Sequence, residues 1–112
     1  MKYTVYYSSR FKKSLKRAKQ FPGFNAEKLK RVIRTLSNGE ALAPSYKDHA
    51  LTGNLKDFRE CHLSPDILLI YQIDDGLLVL TLVNIGNHSQ LFKYSYKRYL
   101  TPIVVSSHIK GT

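Results

Sequence analysis

A chain of 112 residues, 43% of them apolar, is long enough for one domain with a buried core of its own. Its single cysteine, Cys61, excludes an internal disulfide, and no stretch approaches the ~18 uninterrupted apolar residues of a membrane span. A formal net charge of +10 argues against a cationic partner and for a polyanionic one.

The elements follow in chain order. Residues 2–7, rich in β-branched and aromatic side chains, form an opening strand, and Ser8-Ser9 then offers a helix cap. Phe11, Leu15 and Ala18 recur at i, i+4 and i+7, one apolar stripe of a first helix that Pro22-Gly23 breaks. Asn25 caps a second helix with the stripe Leu29, Val32, Ile33 and Leu36, stopped near Asn38-Gly39. Together they make a helical hairpin whose stripes need a surface to cover.

Residues 40–56 lack periodicity and read as a loop. Three strands follow, at about residues 57–63, 67–73 and 77–84, separated by the turn sequences Ser64-Pro65-Asp66 and Asp74-Asp75-Gly76. So short a spacing allows only antiparallel hairpins. Ile67-Leu68-Leu69-Ile70-Tyr71 is apolar throughout, as a central strand buried on both faces would be. The order β-α-α-β-β-β gives an α+β domain, with the helical hairpin packed on a curved, mainly antiparallel sheet. Residues 93–112, with Tyr94, Tyr96, Tyr99, Lys97 and Arg98 followed by Pro102-Ile103-Val104-Val105, read as an extension: an edge strand or loose tail, or a segment that stacks on and neutralises RNA. Cys61 reads as a small buried hydrophobe. The start of the chain has no apolar block of the kind a secretory signal carries, so a soluble, cytoplasmic protein is expected.

The charge is unevenly placed. Residues 1–37 hold 11 Lys/Arg and one acid, Glu27, whereas residues 38–112 hold seven of each sign. The excess therefore sits on the helical hairpin: Lys12, Lys13, Lys16, Arg17, Lys19, Lys28, Lys30, Arg31 and Arg34. Such a patch attracts nucleic acid through Coulomb steering and counterion release, although a solvated helix face would look the same.

His49, His62 and His88 lie in or beside the strand region, with Asp66 in the turn after His62. An antiparallel meander can bring strand ends and flanking loops onto one rim. RNA cleavage without a metal asks for a base to take the ribose 2′-OH proton, an acid for the leaving 5′-oxygen, and a donor for the charged phosphorane. Imidazole, with an unperturbed pKa of ~6.5, serves as either proton partner. Structural histidines or a zinc site are the other readings of these residues, though no spacing here marks a zinc motif. Asp66 could equally fix its turn. Composition and spacing alone give an RNA-binding protein with a histidine cluster.

Three segments carry a resemblance. Tyr46-Lys47-Asp48-His49-Ala50-Leu51-Thr52-Gly53 resembles a YKDHxLxG signature, the run from Phe58 to Tyr71 resembles FRECHxxPDxLLxY, and Gly86-Asn87-His88-Ser89-Gln90-Leu91-Phe92 resembles GxHxxLF. Their order and spacing are similar to those of the YafQ-type branch of the RelE/ParE toxins, over residues 1–92. The resemblance implies a ribosome-dependent mRNA interferase with a cognate antitoxin and no cofactor. It implies catalysis by His49, His62, Asp66 and His88, with His88 as acid, His49 or His62 as base and Asp66 assisting. It also implies phosphate contact by Arg59, for which a structural ion pair is the other reading, stacking of Phe92 on a codon base, and ribosomal RNA held by the basic helices. Relatives often carry an arginine shortly before the glycine of the closing motif, where this chain has Asn84, so Arg59 or a lysine would have to contribute more charge. A non-catalytic toxin of the same fold, such as a gyrase-inhibiting ParE-like protein, and a basic RNA-binding module are the competing functions.

Overall fold

The computed structural model describes residues 1–93, with Phe92 and Lys93 described by backbone alone. The elements are β1 (Thr4–Tyr7), α1 (Ser9–Ala18), α2 (Ala26–Ser37), β2 (His49–Ala50), β3 (Arg59–Ser64), β4 (Ile67–Asp74), β5 (Val79–Gly86) and α3 (His88–Lys93). Single 3₁₀ turns at Pro44–Tyr46 and Gly53–Leu55 flank β2. The strands form one sheet in the order β1-β5-β4-β3-β2, antiparallel except that β1 runs parallel to β5. The expected α+β architecture, a helical hairpin on a mainly antiparallel sheet, is what forms.

The caps are those the sequence offered. Ser8 Oγ accepts the Phe11 N–H at 2.9 Å and donates to the Val83 carbonyl at 2.8 Å, so one hydroxyl both starts α1 and ties it to β5. Asn25 Oδ1 accepts the Lys28 N–H at 3.1 Å to start α2. Gly39 ends α2 with φ +78°, and a Cβ there would stand 2.7 Å from the Lys2 side chain, so both backbone strain and crowding favour glycine.

Helices and sheet bury each other. Phe11, Ala18, Leu29, Val32 and Leu36 pack on Cys61, Leu63, Leu69, Tyr71, Leu80, Leu82 and Ile85. A second, smaller core lies on the other face of the sheet, where Leu91 of α3 joins Phe58, Leu68, Ile70 and Val83, with Leu51 and Leu55 at its margin. The central strand β4 is thus covered on both sides, as its unbroken apolar run requires.

Two local departures shape the site. The segment expected as a plain loop, residues 40–56, contains β2, whose two residues pair with Glu60 and Arg59. Two residues show no alternation, so the strand has no periodic signature. The six-residue helix α3 was also not expected from the sequence. It is held by a capping box in which Asn87 Oδ1 accepts the Gln90 N–H at 2.8 Å and Gln90 Oε1 accepts the Asn87 N–H at 3.2 Å. The expected extension, apart from the backbone of Lys93, lies outside the described residues.

Leu69 is fully buried at the centre of the helix-facing core. Leu69→Ala is expected to lower the unfolding free energy by about 2–5 kcal/mol, read as a shift of the urea midpoint. A change below about 0.5 kcal/mol would contradict this packing.

Candidate active site

Strand register assembles the site. His49 pairs with Glu60 across β2–β3, His62 with Leu68 across β3–β4, and Leu68 with Gly86 across β4–β5. His88 opens α3 two residues after Gly86. The imidazoles consequently stand in a row, with ring centroids 6.5 Å apart for His49–His62 and 6.3 Å for His62–His88. Residues two apart on a strand share a face, so Glu60 stands beside His62, while Cys61 and Leu63 point to the helices.

Glu60 is the group that sequence reasoning did not single out. Its side chain is only 5% exposed, yet Oε1 lies 3.4 Å from His49 Nε2 and 3.9 Å from His62 Nε2. The other oxygen, Oε2, is buried with no hydrogen-bond partner among the described residues. The available signal was its position: an acid within a strand, two residues before a histidine, on the face opposite the helical hairpin. His49 Nδ1 stands 2.7 Å from the Lys47 carbonyl. A carbonyl only accepts, so this bond puts a proton on Nδ1 and presents Nε2 to Glu60.

His62 is held below the ordinary histidine pKa. Burial is the main cause; the Glu60 charge opposes it, and Lys47, His49 and His88 add to the depression. A neutral imidazole at pH 7 is a proton acceptor. Cys61, by contrast, is pushed up to about 12 by burial and by Asp48 and Glu60, so it remains an inert thiol within the core.

Arg59 takes the second of its two expected settings, an ion pair. Its Nε donates to Asp48 Oδ1 and to the Tyr71 hydroxyl, each at 3.3 Å, and the Tyr71 hydroxyl donates to the same Asp48 oxygen at 2.5 Å. Burial and the Asp48 acceptor raise the Tyr71 pKa, keeping that proton in place. Arg59 is opposite Tyr71 in register and one residue from Glu60, so it leaves the strand on the side away from the histidines. It is therefore a structural ion pair that anchors the segment bearing His49, and not a phosphate contact on the histidine face.

Asp66 lies exposed in the β3–β4 turn, two residues before Leu68, and takes part in none of the ion pairs among the described residues. It is at the same end of the sheet as the histidines but outside their row. Lys12, Lys13, Lys16, Arg17, Lys19, Lys30, Arg31 and Arg34 are exposed on the helical hairpin, and Lys28 lies 5.4 Å from the centre of the Tyr46 ring. The hairpin covers the other face of the sheet, so the basic surface and the histidines are on opposite sides of the molecule. The Phe92 side chain, expected to stack on a base, lies outside the described residues.

A helical hairpin on one face of a five-stranded sheet, with a row of histidines on the other, defines a small toxin-like α+β domain. Residues 3–93 match the family described as bacterial toxin of type II toxin-antitoxin system, YafQ, and the chain belongs to that family. The mRNA interferase toxin YafQ of Escherichia coli K12 is 38% identical over 90 residues, covering 79% of this chain and 94% of its own. Among solved structures, a metal-bound toxin from Helicobacter pylori is 49% identical with a TM-score of 0.74, covering 80% of this chain and 99% of that one. The toxin of the E. coli DinJ-YafQ complex is 34% identical with a TM-score of 0.71, covering 80% and 98%.

The pairing of Glu60 with His62 has a measurable sign. His62 is expected to titrate below ~6.5, and Glu60→Gln, which removes the one charge that raises it, should lower it further. Histidine ring NMR across pH reads both values; an unchanged or raised His62 in the variant would refute the arrangement.

Proposed function

We propose that this chain is a ribosome-dependent endoribonuclease that cuts mRNA in the bacterial cytoplasm and is neutralised there by a cognate antitoxin. The row of three imidazoles on the face of the sheet away from the helical hairpin, with a buried carboxylate against two of them, carries the reading. Neighbours 6–7 Å apart leave room for a phosphodiester between them, so one ring can reach the attacking oxygen and another the leaving oxygen. The names of the E. coli relatives, an mRNA interferase and the toxin of a DinJ-YafQ complex, support the substrate and the kind of partner.

The reaction runs as an in-line transfer. Neutral His62 takes the proton from the ribose 2′-OH as that oxygen attacks phosphorus. The P–O5′ bond breaks, His88 gives its proton to O5′, and the products are a 2′,3′-cyclic phosphate and a 5′-hydroxyl. His49, its Nδ1 proton held by the Lys47 carbonyl and its Nε2 at Glu60, orients Glu60 beside His62, and it is Glu60 that stabilises the charge on His62 once protonated. Glu60 supplies the compensating negative charge. Asp66, at the mouth of the site, is assigned to assist His62 or hold the nucleotide, and Phe92 to stack on a codon base. The exposed lysines and arginines of α1 and α2 hold ribosomal RNA on the opposite side.

Induced expression followed by mapping of mRNA ends tests the class. Cuts within translated codons are expected from the natural chain and none from His88→Ala, with the variant's fold intact by circular dichroism. Uncut mRNA with inhibited DNA supercoiling would reverse the reading in favour of a gyrase-directed toxin. The pH dependence is a separate check. A base whose pKa lies below the ordinary value stays neutral, so cleavage on ribosomes should hold down to about pH 6.5 and fall only as pH drops through the depressed His62 value. An acid limb lying above pH ~7 would exclude His62 as the base.

A further inference from the structure

Transfer at a phosphodiester adds negative charge to the non-bridging oxygens, and a fixed cation beside them is worth about 10²–10³ in rate. The face that carries the histidines holds few such groups. The helix cations stand across the sheet, and Arg59 is turned to Asp48 and Tyr71. Asn84, in one register row with Glu60 and Ile70, is neutral and buried, its side-chain oxygen accepting the Ile85 N–H at 2.9 Å.

Lys47 differs from all of these. It is exposed, takes part in none of the ion pairs among the described residues, and precedes His49 by two positions. Its backbone is left-handed, φ 50° and ψ 41°, where it closes the 3₁₀ turn Pro44–Tyr46, and its carbonyl holds His49 Nδ1. The neighbouring Asp48 is pinned by Arg59 and Tyr71, so the backbone is fixed on both sides of the residue. We propose that Lys47 is the phosphate-binding cation of this site, its ammonium engaging the non-bridging oxygens of the scissile phosphate as the 2′-oxygen attacks. The assignment rests on the RNA-cleaving reading above. Lys47 exchanges no proton; His62 and His88 carry both transfers. Its charge already acts on the row, since it is among the groups that depress His62, together with His49 and His88 and against Glu60.

The test uses the full chain, bacterial ribosomes programmed with a short mRNA, and single-turnover cleavage. Lys47→Ala should slow cleavage about 10²-fold at saturating toxin while ribosome affinity changes by less than about threefold. Lys47→Arg, which keeps the charge, should stay within about tenfold of the natural chain. By NMR, His62 should titrate higher in Lys47→Ala than in the natural chain, a change that a purely structural role for Lys47 would not produce. Lys47→Ala cutting at the natural rate, or losing only affinity, would overturn the assignment and leave the nuclease reading standing, provided His88→Ala is inactive alongside. A natural chain that binds ribosomes and cuts nothing would overturn both.

Discussion

A carboxylate taken out of water is the constraint around which this site is organised. An ionised acid in a protein interior carries a penalty of several kcal/mol unless opposite charge or hydrogen bonds meet it. Glu60 is buried in mid-strand, and the polar groups nearest it are His49 and His62, at 3.4 and 3.9 Å from the same oxygen. This explains why so short a strand as β2 exists at all: its two residues pair with β3 at the position that brings His49 over Glu60. Glu60 Oε2 remains buried without a partner, a polar demand that a substrate hydroxyl or an ordered water would meet.

Sheet alternation then separates the labours of neighbouring residues. Arg59 and Glu60 are adjacent, yet one joins Asp48 and Tyr71 and the other joins the histidines. Asp48 and His49 divide in the same way. The Asp48–Arg59–Tyr71 knot lends the histidine segment a rigid foothold, so the rim of the site does not depend on loop packing alone. On a larger scale the same two-sidedness gives the molecule a histidine face and a basic back.

Much of this was legible in the sequence. Phe11, Ala18, Leu29, Val32 and Leu36 were readable as helix stripes because helical periodicity reports burial directly, and Ile67–Tyr71 because an unbroken apolar run has few homes. Ser8 and Asn25 announced their helices through chemistry that acts within three residues. His49, His62 and His88 were legible as candidates, and the register brings them into one row. What was hidden depends on pairs far apart in sequence. Glu60 looks like any polar strand residue until His49 is set opposite it, and for Arg59 the choice between phosphate contact and ion pair stays open until Asp48 and Tyr71 are seen beside it. The parallel partner of β1 was equally invisible, since alternation within a strand says nothing of its neighbour.

That parallel pairing has a temporal side. Thr4–Tyr7 can join the sheet only beside Val79–Leu82, and Ser8 ties α1 to the carbonyl of Val83. The first strand and the start of the first helix therefore wait for nearly the last strand before they are in place, a non-local closure of the kind that slows folding. During synthesis the helical hairpin emerges early with its apolar stripes uncovered, and the histidine row cannot exist until β5 and His88 have left the ribosome. The strand that closes the sheet against β1 thus also completes the histidine row, so one late non-local step finishes both.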